Sequence, residues 1–303
     1  MKRILIASGA VLLLLIVGYL GASWYIVNQS LKAEVAPIEE RPDDYGLAYE
    51  EVEFSPRDWP DITLRGWWVP AEEPKGIVVR VHGVDSNKGA RLGLVRALVD
   101  GGYSVFAFDL RGHGESDEAA MGAGLHEVDD VRGAVDYVVA ERGAEAGKVF
   151  LHGLSFGGAI VLMEGADDPR VGGVFADSSF AALGDMIVQE VADRTILPEA
   201  AAAALRPGMV WASRATRGID LNAVSPEDAA GDYAYPLGLA HCRADERIGI
   251  EHLARIRIAL NLPPRLTVYE DCDHADAWSD YTEHYERFVL DYYDELLGLP
   301  VDG

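Results

Sequence analysis

The stretch "LHGLSFGGA", Leu151–Ala159, sets one hydroxyl among glycines, with apolar residues before and after it. This pattern predicts a strand, a tight turn and a helix, with Ser155 at the turn and a glycine two residues to either side. Such a strained turn exposes the serine hydroxyl, and the glycines let strand and helix approach closely. A serine here can also be a simple turn residue, so a nucleophilic role requires partners elsewhere in the chain.

Two later loops supply the partners that a serine nucleophile needs, a base to take its proton and an acid to orient the base. His274 in "YEDCDHADAW" follows the last predicted strand, which brings it to the same sheet edge as Ser155. Asp245 in "AHCRADERI" follows the preceding strand and is the preferred acid, with Asp177 in "VFADSSF" as the alternative. The order serine, acid, histidine predicts a catalytic triad. The competing interpretation of His274 is a surface histidine in an acidic loop.

An oxyanion hole requires two backbone donors near the nucleophile. The first is the N–H of the residue after the serine, Phe156, and the second comes from the loop after an earlier strand. In "VRVHGVDSNKG" that loop begins at His82 and Gly83, so Val84 is the predicted second donor. His82 itself is interpreted as a structural loop histidine rather than a second base.

Short apolar runs that alternate with helix-period segments indicate an α/β fold. Two opening runs, "YEEVEFSP" and "ITLRGWWVP", predict an antiparallel hairpin. Further strands are predicted in "GIVVRVHG", "YSVFAFDLRG", "KVFLHGLS", "VGGVFADSS", "YPLGLAHC" and "RLTVYEDC". Helices are predicted over Arg91–Val99, Val128–Glu141 and Ile250–Leu260. The alternation predicts one domain over residues 46–303, a mostly parallel sheet with helices on both faces.

The gap between the fourth and fifth of these later segments, "VGGVFADSS" and "YPLGLAHC", is too long for one crossover. Its alanine-rich composition predicts a short helical cap inserted at about residues 180–232. Apolar residues of the cap either line a pocket for an acyl chain or pack the insertion onto the sheet: Met186, Ile187, Leu205, Met209, Val210 and Trp211.

The N-terminus has the character of a membrane anchor. Ile4–Val27 is uncharged over 24 residues, enough to cross a hydrocarbon layer as one transmembrane helix, so residues 1–27 are predicted to be a signal anchor. Lys2 and Arg3 would keep the N-terminus cytoplasmic and place the following domain outside the cytoplasm. The alternative is a secreted protein cleaved near Gly21-Ala22-Ser23. Residues 28–45, rich in Glu, Asp and Pro, are predicted to be an acidic, solvated tether.

The amino-acid composition limits the kinds of partner that the protein is expected to bind. The formal net charge of −24 argues against nucleic acid or an anionic surface as a partner. Eight histidines without metal-ligand spacing and two cysteines predict neither a metal site nor a cofactor. The expected partners are a small-molecule ester or acyl substrate, and a membrane through the N-terminal helix.

From about Val52 to the C-terminus, the chain resembles α/β-hydrolases of the serine aminopeptidase and monoacylglycerol-lipase-like group. The segments quoted above, with "FAFDLRGHGESD" and "GLHEVDDVRGAVDYV", occur in the order typical of that family. The resemblance implies an α/β-hydrolase fold and the activity of a serine esterase or lipase. Peptidase, acyltransferase and non-catalytic binding functions are the alternatives.

Carried over by position, the resemblance implies specific roles for five residues: Ser155 as nucleophile, Asp245 as acid, His274 as base, and Val84 with Phe156 as oxyanion donors. The loop "DLRGHGES" matches the loop that follows the strand beside the elbow in the family. There Arg111 and His113 are expected to fix the loop rather than to contact substrate.

The two cysteines depart from the family pattern, which commonly has a glycine where Cys242 stands and a glycine-rich approach to the histidine where Cys272 stands. If the preceding strands are neighbours, as the family's sheet order implies, the two thiols emerge side by side. A disulfide between them, in an oxidising compartment, would tie the loops of Asp245 and His274 together. The alternative is two unpaired, partly buried thiols.

Overall fold

A computed structural model of the chain describes residues 2–33, 35–194 and 196–301. The chain divides into two compact units. The sheet unit contains Ala33–Ala181 and Ser225–Gly303, and the helical unit contains Met1–Lys32 and Ala182–Val224. The helical unit is thus formed by two segments of the chain, the N-terminal segment and a segment inserted between two strands of the sheet unit.

The sheet unit is built on an eight-stranded sheet of order β1-β2-β4-β3-β5-β6-β7-β8. The strands are β1 (Glu50–Phe54), β2 (Leu64–Val69), β3 (Gly76–Val81), β4 (Tyr103–Phe108), β5 (Val149–Leu154), β6 (Val171–Asp177), β7 (Gly238–Cys242) and β8 (Arg265–Tyr269). The β1–β2 and β2–β4 pairs are antiparallel and the remaining pairs are parallel. The predicted opening hairpin and the mostly parallel sheet are confirmed.

Helices cover both faces of this sheet. They are α2 (Leu92–Asp100), α3 (Leu125–Arg142), α4 (Phe156–Gly165), α7 (Pro226–Ala230), α8 (Ile250–Ala259), α9 (Ala277–Asp280) and α10 (Thr282–Leu296). On β5, Phe150 packs against Tyr293 of α10 with ring centroids 4.8 Å apart. The next residue, Leu151, faces Gly165 of α4 on the other side. Successive strand residues point to opposite faces, so the central strands β3 and β4, which are buried at every position, lie between two helical layers.

The helical unit consists of α1 (Lys2–Ser30), α5 (Leu183–Arg194), α6 (Glu199–Arg217) and a 3-10 turn at Leu221–Ala223. The last three elements form the insertion between β6 and β7. Within α1, Ile6–Ser30 is long and apolar enough to cross a membrane, with a mean hydropathy of 2.2 over its most apolar window. The helix continues to Ser30, three residues past the end predicted from charge alone, since Asn28 and Gln29 are polar but compatible with a helix.

The predicted tether, residues 28–45, is not a free linker over its second half. The Asn87 amide donates to the Ala36 and Pro37 carbonyls at 3.2 and 3.0 Å. Ile38 packs against the core, and Pro42–Tyr45 form a 3-10 turn. The description as a solvated tether is therefore wrong for this stretch, because a few specific contacts outweigh its acidic, proline-containing composition.

A histidine lies inside the sheet unit on β5. His152 is buried, with Nε2 3.4 Å from the Tyr285 hydroxyl and Nδ1 3.3 Å from the Tyr293 hydroxyl. Burial, with Arg80 and Arg91 nearby, lowers the pKa of His152 well below its usual value. The folded protein therefore holds this imidazole neutral, whereas the unfolded chain protonates it below about pH 6.5.

The buried imidazole gives a pH-dependent stability that His152→Phe removes. Because the unfolded state binds the extra proton, the stability associated with His152 is fully present above about pH 6.5 and falls by about 1.4 kcal/mol per pH unit below it. We expect His152→Phe to be less stable than wild type at pH 7.5, and this deficit to shrink at pH 5.5. Urea unfolding followed by tryptophan fluorescence measures both; equal deficits at the two pH values would contradict the assignment.

Candidate active site

The backbone at Ser155 is strained in the way a nucleophile elbow requires. Between β5 and α4, Ser155 adopts φ 55° and ψ −117°, a conformation costly for a residue with a side chain. A Cβ on Gly153 would lie 2.2 Å from the Gly157 carbonyl oxygen, and one on Gly157 would lie 2.4 Å from the Val81 carbonyl oxygen on β3. Only glycine fits at both positions, so the turn is fixed by close backbone contact on either side of the serine.

Two side chains from the loops after β7 and β8 meet this serine. His274 Nε2 lies 2.8 Å from Ser155 Oγ, and its Nδ1 lies 2.8 Å from Asp245 Oδ2. The other carboxylate oxygen of Asp245 accepts the N–H groups of Arg247 and Ile248 at 3.0 and 2.7 Å. With Asp245 acceptor-only, the imidazole donates from Nδ1 and is free to accept the serine proton at Nε2.

The alternative acid, Asp177, does not contact His274 in this arrangement. It lies at the end of β6, fully buried, where Ser178 Oγ and the Tyr285 hydroxyl donate to its two oxygens at 2.9 and 3.0 Å. Burial raises the pKa of this carboxyl. Its carbonyl oxygen accepts the Ser155 N–H at 2.8 Å, so Asp177 supports the elbow through its backbone.

The two predicted oxyanion donors border the nucleophile. Phe156 is the first residue of α4, and Val84 follows Gly83, on which a Cβ would lie 3.5 Å from Ser155 Cβ. Neither N–H donates to an acceptor within the described part of the chain. An oxyanion hole requires N–H groups without an internal acceptor beside the nucleophile.

His82 fixes the loop that carries Val84. Its Nε2 accepts the Leu110 N–H at 3.0 Å, which leaves Nδ1–H to donate to the Gly83 carbonyl at 2.7 Å. Burial, with His113 nearby, lowers the pKa of His82 to about 3. An imidazole that stays neutral and forms a hydrogen bond at each ring nitrogen has the features expected of a structural histidine.

A buried ion pair that the sequence did not reveal joins this loop to the loop after β4. Lys88 Nζ lies 2.6 Å from Asp109 and 2.7 Å from Glu115, and Asp109 also accepts the Lys88 backbone N–H at 2.7 Å. Further along, Arg111 donates to Asp130 through Nε and Nη2 at 2.9 and 2.6 Å. Local sequence patterns show that these residues are charged. They do not show which residues pair, because the two members of each pair lie in different segments of the chain.

Cys242 and Cys272 are joined by a disulfide, with their Cα atoms 5.3 Å apart. Cys242 ends β7 and Cys272 follows β8, and the two strands are parallel neighbours. The bond links the loops that carry Asp245 and His274, three and two residues away respectively.

The six apolar residues predicted either to line an acyl pocket or to pack the insertion onto the sheet all lie on α5 and α6 of the helical unit. Met186 and Met209 are buried, whereas Trp211 keeps 55% of its surface exposed. The six residues therefore do not form one uniform lining.

A mostly parallel sheet, with a serine at a strand-to-helix turn and an acid and a histidine in the later loops, defines an α/β-hydrolase. The sequence matches the serine aminopeptidase S33 family over residues 72–226. The chain belongs to this family and is a hydrolase enzyme. The fold expected from the sequence motifs is confirmed.

Individual relatives agree with this assignment. The chain is 29% identical to the protein YfhR of Escherichia coli K12 over 266 residues, 82% of this chain and 85% of that protein. It is 34% identical to human monoglyceride lipase over 104 residues, 34% of each chain. It shares the fold of the Pyrococcus furiosus esterase Pf2001, with a TM-score of 0.70, 20% identity and coverage of 88% and 97%.

The contacts of Asp245 and Asp177 predict that replacing each carboxylate by an amide affects kcat to very different extents. We expect Asp245→Asn to lower kcat by about 10³–10⁴-fold, because the amide would favour the wrong imidazole tautomer. Asp177→Asn should leave kcat within about tenfold, since it affects the elbow only indirectly. Steady-state ester hydrolysis measures both, and a larger loss in Asp177→Asn would show that the wrong carboxylate has been assigned.

The disulfide predicts a defined labelling pattern. Alkylation of the unfolded chain should add no label without reductant and two labels after reduction, measured by intact mass. Replacing both cysteines by alanine should lower the free energy of unfolding by about 3 kcal/mol, because the closed loop restricts the unfolded chain. Two labels without reductant would show that the thiols are free.

Proposed function

We propose that the protein is a serine hydrolase that cleaves carboxylic esters through an acyl-enzyme on Ser155. The observation that carries the proposal is the pair of 2.8 Å hydrogen bonds that connects Ser155 Oγ, His274 and Asp245. A hydroxyl so placed has a base for its proton, and the base has a carboxylate to stabilise its cationic form.

The proposed reaction has two stages. Ser155 Oγ attacks the ester carbonyl while His274 Nε2 takes its proton, and the negative charge that develops on the carbonyl oxygen is stabilised by the Val84 and Phe156 N–H groups. His274 then protonates the leaving alcohol, which leaves an acyl group on Ser155. Water, deprotonated by the same imidazole, attacks the acyl carbonyl, and the acid departs as Ser155 recovers its proton.

Neutral esters or thioesters are the proposed substrates. A chain with a net charge of −24 disfavours anionic phospholipids and polyphosphates. Lipid esters gain support from the similarity to monoglyceride lipase, and esters in general from the likeness to the Pf2001 esterase. A peptidase activity is the second candidate, favoured by the aminopeptidase description of the family. An acyltransferase would use the same acyl-enzyme with an acceptor other than water.

We further propose that α1 is a membrane anchor and that the sheet unit lies outside the cytoplasm. Lys2 and Arg3, immediately before the apolar segment, favour a cytoplasmic N-terminus. The Cys242–Cys272 disulfide favours an oxidising compartment for the sheet unit.

The function is tested with Ser155→Ala and a matched control, Ser279→Ala, which removes an exposed hydroxyl from α9. A fluorophosphonate probe should label wild type and the control but not Ser155→Ala. Turnover of p-nitrophenyl esters should fall by at least about 10³-fold in Ser155→Ala alone, because the nucleophile is lost.

The same assay distinguishes the alternatives. Faster cleavage of aminoacyl amides than of esters would favour the peptidase, and product formation only with an added alcohol or amine would favour the transferase. An unlabelled but folded wild type would contradict catalysis and support a binding function.

A further inference from the structure

The proposed anchor helix α1 packs along α6 within the helical unit, and the Tyr19 side chain forms hydrogen bonds with the backbone of α6. The Tyr19 hydroxyl donates to the Ala204 carbonyl at 3.0 Å and accepts the Gly208 N–H at 2.9 Å. In a regular α-helix, the N–H of residue 208 bonds directly to the carbonyl of residue 204. Tyr19 thus bridges the two groups at the point where Pro207 interrupts the helix.

The contact is close because small residues meet. A Cβ on Gly208 would lie 2.3 Å from Ser23 Oγ and 2.6 Å from Tyr19 Cε1. Ser23 is fully buried, and its hydroxyl donates to the Tyr19 carbonyl at 2.9 Å. About two and a half turns after the Tyr19–Gly208 contact, Arg217 Nη2 donates to Asn28 Oδ1 at 2.7 Å. The two helices therefore run side by side in the same direction over about nine residues, or about 13 Å.

These contacts make the outer half of α1 a structural part of the insertion. Cleavage near Gly21-Ala22-Ser23 would remove the Tyr19 hydroxyl and uncover the Gly208 surface. It would also leave the Gly208 N–H and the Ala204 carbonyl of α6 without their bridge. The packing therefore favours a retained anchor.

The length of α1 then determines where α6 lies. Residues 6–18 are exposed on all sides, and these 13 residues span only about 20 Å. A hydrocarbon layer of about 30 Å needs about 20 residues, so the crossing must include the first residues that contact α6. The part of α6 at this level suits the membrane boundary, because all five residues of Ala200–Ala204 are alanine.

Exposed aromatic side chains lie next to this contact on both helices. Trp24 and Tyr25 follow Ser23 and are 46% and 59% exposed, and Trp211, three residues after Gly208, is 55% exposed. Tryptophan and tyrosine are the residues enriched where membrane proteins meet the headgroups. Trp24, Tyr25 and Trp211 therefore lie at the same height along the two helices, beside the α1–α6 contact.

We propose that α6 is a membrane-interface helix held permanently against the outer half of α1, so that the insertion binds the bilayer surface from which α1 emerges. The partner is the headgroup and upper acyl layer of that bilayer. The inference rests on the proposed anchoring of α1, but not on the proposed esterase chemistry.

The test uses single nitroxide labels on the full-length protein in phosphatidylcholine nanodiscs. Because the native cysteines form a disulfide, one introduced cysteine is labelled specifically. The sites are Leu14→Cys in the apolar half of α1, Ala203→Cys on the exposed face of α6, and Glu283→Cys on α10 as the aqueous control. Collisions with oxygen and with a water-soluble nickel chelate report the depth of each label.

We expect oxygen to dominate at positions 14 and 203, and the nickel chelate at 283. A label at 14 that favours the chelate would overturn the anchor and with it this inference. A membrane-buried label at 14 together with a water-exposed label at 203 would overturn the interface assignment of α6 alone.

A steric variant tests the contact itself. Gly208→Leu places a side chain where Ser23 lies and should move the label at position 203 towards water, raising its collision rate with the nickel chelate several-fold. The control Ala215→Leu adds the same side chain at an exposed position near the C-terminal end of α6 and should leave the rate unchanged. Equal behaviour of the two variants would show that the α1–α6 contact does not hold α6 at the membrane.

Discussion

The strained backbone of Ser155 is the constraint on which the site depends. It is maintained by the contact of Gly157 with β3 and of Gly153 with the first turn of α4. Both contacts exist only because β3 and β5 are central, parallel neighbours with α4 packed on their face. The sheet therefore supplies the rigidity that holds Ser155 in an unfavourable conformation. The serine lies at the edge of the sheet formed by the C-terminal ends of the parallel strands.

The remaining parts of the site use the same edge. The loops after β3, β7 and β8 carry Val84, Asp245 and His274, and specific contacts hold these loops in place. His82 and the Lys88–Asp109 ion pair hold the first loop, and the disulfide joins the other two. In the proposed reaction these contacts would order the groups before substrate arrives, which is the condition for electrostatic stabilisation of a transition state.

The sequence predicted the strand order in the chain, the elbow and the three triad candidates because their signals are local: apolar runs, a glycine on either side of a serine, and polar residues directly after strands. It did not predict the partner of Lys88 or the docking of Ile38, because each depends on a segment distant in the chain. The hydrogen bond between the Tyr19 hydroxyl and the Gly208 N–H joins residues 189 positions apart, a separation that local sequence patterns do not span. The choice between Asp245 and Asp177 likewise needed the positions of Tyr285 and His274.

In the proposed reaction, Ser155 carries the acyl group. Mixing the protein with excess p-nitrophenyl acetate, quenching with acid within the first turnovers and mapping peptides by mass tests this role directly. We expect one acetyl group per chain, on the peptide containing Leu151–Ala159, formed at the rate of the initial p-nitrophenol release. Sustained turnover with no acyl group on that peptide would contradict it.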